Sequence, residues 1–85
     1  MTKRTPKTTK PEPTAAETYA ARQNDIARLM DVLQMELDKH AEKAGAAPNG
    51  WGHVGDLDLV RKNMIETVAF ISNKEIDEVT EFLAE

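Results

Sequence analysis

Glu36 and His40 stand four residues apart, and Asp38 and Glu42 repeat that spacing two positions along. On a helix each pair would share a face. Imidazole and carboxylate presented together form a donor set for a metal ion. Carboxylate-bridged di-metal bundles draw a Glu-x-x-His at i,i+3 from each of two helices, with two further inward glutamates. Here the spacing is i,i+4, and residues 56–84 offer only Glu66 around their middle and no histidine. A histidine near a helix C-terminus also complements the helix dipole. The reading adopted for these residues is a solvated polar face with no metal; a carboxylate/His metal-binding bundle is the lesser alternative.

Other chemistries have less to work with. The chain has no cysteine, and Ser72 is its sole serine, better explained as a cap or a helix-surface hydroxyl. Neither His40 nor His53 falls within a catalytic-triad pattern. Gly50-Trp51-Gly52 lacks the spacing of a phosphate-cradling loop and follows no strand. Gly55-Asp56 opens a helix whose amides face an anion site already occupied by Asp56 and Asp58. No catalytic residue and no cofactor are assigned, and the chain is expected not to be an enzyme.

The elements that would position these residues are helical. Thr14-Ala15-Ala16-Glu17 matches a capping box, with Pro13 barring extension upstream. Tyr19, Ile26, Leu29, Met30, Leu33, Leu37, Ala41 and Ala44 then recur in steps of three and four, which marks one face of a helix. Asp25 and Arg28 add an i,i+3 pair, and Gly45 supplies a left-handed stop. All 4 glycines lie in 45–55, which reads as a turn. Trp51 in that turn is expected to plug the end of the helix pair. The competing reading makes Trp51-Gly52-His53 a partner site.

Asp56 is then expected as the N-cap of a second helix. Leu57, Val60, Met64, Val68 and Ile71 keep helical spacing, Leu59, Ile65, Ala69 and Phe70 widen the stripe, and Asp58 with Lys62 makes an i,i+4 pair. Ser72-Asn73-Lys74-Glu75 resembles another capping box and offers a break near residue 72. The alternative, preferred here, is one helix running through 56–84. The expected fold is all-α: an antiparallel helical hairpin with helices over about 14–44 and 56–84. At 1.5 Å per residue the arms would be about 46 and 44 Å long.

A hairpin of this size leaves both stripes half covered. The 22 large apolar side chains from Tyr19 to Leu83 contribute roughly 1.5–3 kcal/mol each when buried, against about 1.5 kcal/mol to order each residue. With no cysteine available for a disulfide, oligomerisation is the remaining common route to stability. A homodimer forming a four-helix bundle is therefore expected, an outline that resembles, with no shared motif, the Rop-type plasmid regulators.

Charge points to partners. Residues 1–13 hold three prolines and Lys3, Arg4, Lys7 and Lys10 against Glu12, and read as a disordered basic tail. Residues 14–85 form the single domain, with seven Lys/Arg against fourteen Asp/Glu. An acidic body repels nucleic acid and anionic membranes, so nucleic-acid contact would rest on the four basic tail residues and be weak. Glu75, Asp77, Glu78, Glu81 and Glu85 crowd the expected end of the last helix, where the dipole disfavours negative charge. The reading adopted for that end is a solvated acidic face in loose contact with the basic tail. The competing one makes Glu75, Asp77, Glu78 and Glu81, with Trp51 and His53, the candidate surface for an unidentified protein partner. The start lacks an apolar signal region and no run approaches a membrane span, so a cytoplasmic chain is expected. The function read from these features is a non-enzymatic, dimeric helical adaptor or regulator acting through protein–protein interaction. The alternative is a small nucleic-acid-associated regulator that uses the basic tail.

Overall fold

A computed structural model describes residues 12–85. Among them are three α-helices and no strand: α1 (Ala15–Gly45), α2 (Trp51–Ser72) and α3 (Ile76–Ala84). The all-α expectation holds, but three helices replace the expected two. No helix among the described residues is long and apolar enough to cross a membrane. The tail residues Lys3, Arg4, Lys7 and Lys10 lie outside the described residues. The described residues fall into two compact units, one ending at Lys39 and the other His40–Glu85.

The start of α1 is the one read from the sequence. The Glu17 amide donates to Thr14 Oγ1 at 3.1 Å, and the Thr14 amide donates to Glu17 Oε1 at 2.8 Å. This reciprocal box satisfies two amides that a helix N-terminus leaves without partners. The surface ion pairs differ from those expected. Asp25 meets Arg22 at 3.8 Å rather than Arg28, and Lys62 meets Glu66 at 3.2 Å rather than Asp58. Both pairs are exposed and contribute little to stability.

Gly45 ends α1 without a left-handed residue, since none of the chain's glycines has a positive φ. Instead the chain tightens. The Ala46 amide donates to the carbonyls of Glu42 (3.3 Å) and Lys43 (3.2 Å), and Ala47 donates to Ala44 at 3.1 Å. Pro48 has no amide to continue the ladder. The Gly50 amide closes the turn onto the Ala47 carbonyl at 2.9 Å.

The connection is shorter than expected because α2 begins at Trp51 rather than Asp56. Gly52 and Gly55 each disfavour helix by about 1 kcal/mol relative to alanine, which is why 51–55 reads as turn in the sequence. Here Gly50 is the N-cap, with φ −85° and ψ 94°, and the His53 amide donates to the Gly50 carbonyl at 3.1 Å. Asp56 thus sits in the second turn of α2 and caps nothing.

The continuous helix over 56–84 is broken at Asn73, where φ is 59° and ψ 41°. Asparagine is among the few non-glycine residues that adopt this left-handed geometry readily. The Lys74 amide donates to the Ala69 carbonyl at 2.9 Å and the Asn73 amide to Phe70 at 3.3 Å, the paired bonds of a Schellman stop. The capping box that opens α3 is also displaced by three residues. Glu75 is the N-cap, with reciprocal bonds to Glu78, and the Glu75 amide donates to Glu78 Oε1 at 2.9 Å. Ser72 turns its hydroxyl back to the Val68 carbonyl at 2.6 Å, as Thr67 does to Asn63 and Thr80 to Ile76. Such bonds to i−4 satisfy small hydroxyls inside a helix.

Reversal at Asn73 lets α3 pack on α2. The buried core is Ile65, Ala69 and Val79, at 8%, 5% and 8% exposure. Ile65 and Ala69, which the sequence places only at the widened edge of the stripe, are thus two of the three buried residues. Leu33, Leu37 and Val60 are half-buried, and Leu57, Met64, Val68 and Ile76 are exposed.

Candidate functional site

The turn between α1 and α2 brings together three side chains that can each offer a ligand atom to a metal ion. His40 stands near the end of α1, and His53 and Asp56 lie in the first two turns of α2. His40 Nε2 is 3.0 Å from Asp56 Oδ2, so the imidazole N–H donates to the carboxylate across sixteen residues of chain. The rings of His40 and His53 meet edge to face, with centroids 5.2 Å apart and planes at 85°. One donor atom from each of the three residues lies within 4.8 Å of the others. The histidines are half-buried and Asp56 is exposed.

Local sequence accounts for the placement. With 51–55 helical, His53 and Asp56 are three apart and share a face of α2. Gly50 makes room beside them. A Cβ at position 50 would lie 3.1 Å from His53 Cδ2 and 3.1 Å from the Ala47 carbonyl oxygen. A side chain there would press on the imidazole.

The pairings weighed in the sequence are not the ones formed. Glu36 takes Lys39, at 3.2 Å, and Asp38 Oδ1 accepts from Gln34 Nε2 at 3.1 Å. His40 is drawn instead to Asp56. The signal for this was the His-x-x-Asp spacing at 53–56, which carries meaning only once that stretch is helical.

The candidate partner surface is rearranged as well. Trp51 is 81% exposed and plugs nothing among the described residues. Glu75, Asp77 and Glu78 do not crowd a helix C-terminus. The break at Asn73 places Glu75 at the N-cap and Asp77 and Glu78 in the first turn of α3, where the dipole favours negative charge. Glu81 and Glu85 remain near the C-terminal end of α3, whose last turn holds no basic residue.

Large apolar side chains make up the other feature. α1 has no buried residue along its length, though Tyr19, Ile26, Leu29 and Met30 repeat at helical spacing and are all exposed. On α2 and α3, Phe70 is 84% exposed, and Ile71, Phe82 and Leu83 are exposed too. Val68, Val79 and Phe82 also line an open groove with Ser72, Lys74 and Glu78. Isolated exposed apolar residues are ordinary, whereas a contiguous set marks an interaction surface.

In comparisons with protein-family models, curated proteins and solved structures, the chain matches none.

Proposed function

We propose that this chain acts through association, as a non-enzymatic helical module that completes its core against a second copy of itself. In the assembly, α1 and α2 are the antiparallel arms of a hairpin, and two hairpins pair as a four-helix bundle. One observation carries this reading: α1 repeats apolar residues in steps of three and four, yet none of its residues is buried. A stripe with that period is the face that a helix presents to another helix.

The small core supports the same reading. Burial of Ile65, Ala69 and Val79 does not offset the ordering of three helices at about 1.5 kcal/mol per residue, and no disulfide contributes. A second copy brings the same stripe at no cost in extra genes or partners, and closed twofold pairing is the commonest way for a chain to bury such a face. The acidic residues of α3 and the exposed Trp51 are left as the outward surface of the assembly, where a further protein would dock.

The test is solution mass by light scattering across a dilution series of the full chain. Twice the chain mass, falling to the chain mass on dilution, is the expected result. A folded monomer at every concentration would overturn the proposal, as would a chain that acquires ordered helix only when mixed with a different protein.

A further inference from the structure

We propose that His40, His53 and Asp56 form a binding site for a divalent transition-metal ion of the zinc class, clipping the last turns of α1 to the first turns of α2. The proposal is independent of the dimer reading. It rests on the convergence of three donors of different types from two helices onto one point.

The donor chemistry selects the ion. Two imidazoles and one carboxylate suit zinc, cobalt, nickel or copper, whereas calcium and magnesium require more oxygen ligands. Three protein ligands with a fourth position left to water is the pattern of an open zinc site. The geometry is close to what binding needs. Zinc bonds of about 2.0–2.1 Å in a tetrahedron set neighbouring donor atoms roughly 3.4 Å apart. His40 Nε2 and Asp56 Oδ2 are 3.0 Å apart. All three donor atoms lie within 4.8 Å of one another, so no pair has to contract by more than about 1.4 Å to reach that tetrahedral spacing. Small side-chain rotations supply such a movement without displacing either helix.

Binding replaces one interaction with three bonds. The proton that His40 Nε2 now donates to Asp56 is lost to solvent while Nδ1 carries the ring's one remaining proton. The neutral imidazole then offers its Nε2 lone pair to the metal, and the released carboxylate offers an oxygen. The edge-to-face approach of His53 already brings its ring alongside that of His40. Gly50 is the residue that lets it come so close. A metal at this point also meets a structural need, because the chain has no disulfide and a bound ion is one of the few staples open to a small helical protein.

The experiment uses the full chain, stripped with chelator and titrated with Zn²⁺ and Co²⁺, read by calorimetry, thermal unfolding and the visible absorption of bound Co²⁺. One equivalent per chain is expected, with a raised unfolding temperature and the intense absorption of four-coordinate cobalt. His53→Ala and Asp56→Asn should each weaken binding at least as much as the roughly 10- to 100-fold lost when outer-shell partners are removed. Glu36→Ala should bind as the parent does, which separates this site from the polar face of α1. Cobalt should also shift the NMR signals of both imidazoles in the unsubstituted protein, a readout that needs no variant to fold. Absence of saturable binding would overturn the proposal, and so would unchanged affinity in His53→Ala or paramagnetic shifts that spare His53.

Discussion

Leu29→Asp puts the association reading at risk in a single substitution. Leu29 is 65% exposed in the chain, so in an isolated monomer the change touches little. The helix-propensity difference of about 0.7 kcal/mol is then its main cost. In the proposed dimer the same side chain lies in the contact between copies. Fully burying a leucine contributes roughly 1.5–3 kcal/mol, and about two thirds of that remains to be gained on pairing. Twofold symmetry counts the site twice, so the dimer loses about 2–4 kcal/mol, or roughly 30- to 700-fold in dissociation constant. Burying the new carboxylates weakens it further. Sedimentation equilibrium on parent and variant measures the change. Asn24→Asp is the control: it adds the same charge on the opposite face of α1 and should leave the dissociation constant within about twofold, the size of an ordinary surface effect. If Leu29→Asp dimerises as tightly as the control, the apolar stripe of α1 is not the contact and the reasoning fails.

Asn73→Ala should destabilise the α2–α3 unit by about 1 kcal/mol, since alanine pays the left-handed penalty that asparagine largely avoids; Asn73→Gly should be tolerated in chemical denaturation. Loss of the Thr14 box in Thr14→Ala should fray the first turn of α1 and cost about 1 kcal/mol, seen as faster amide exchange at Glu17 and Thr18. Trp51→Ala should leave the midpoint of unfolding within about 0.5 kcal/mol, as for other exposed positions; a large loss would restore Trp51 as a plug.

Class and first boundary were legible in the residues. Period-3.6 apolar spacing gave helices, and Thr14 with Glu17 gave the start of α1, because a capping box is a local hydrogen-bond pattern that needs nothing distant. Errors lay where two local rules competed. Gly52 and Gly55 lower helix propensity, yet a Gly50 N-cap and the bond from His40 to Asp56 accompany an α2 that starts five residues early. Around residue 72 the apolar positions stay in phase through Ile76 and Val79, so periodicity favoured a continuous helix. Asn73 in its left-handed state overrode that phase. The outcome could be read only by weighing Asn-Lys as a stop signal above the Ser72 box. The core was blurred for a related reason. A stripe identifies which faces are apolar, but the reversal at Asn73 decides that Val79 meets Ile65 and Ala69.

The same early start of α2 changes the chemistry of the chain. Were Asp56 the N-cap, its carboxylate would be spent on the amides of the next turn, and His53 would sit on a glycine-rich loop with no fixed relation to it. Five more helical residues put His53 and Asp56 on one face and free the carboxylate for His40. The metal clip therefore depends on the helicity of 51–55, a stretch that two glycines make marginal. That dependence works in both directions: an ion held by His53 and Asp56 must stabilise the first turns of α2. Amide exchange at Val54 and Leu57 should slow when zinc is added, while exchange at Leu29, in the other compact unit, should not respond to the metal at all. Protection that rose equally at Leu29 and Val54 would mean that the ion acts on the whole chain, through assembly, and would remove the local clip as its cause.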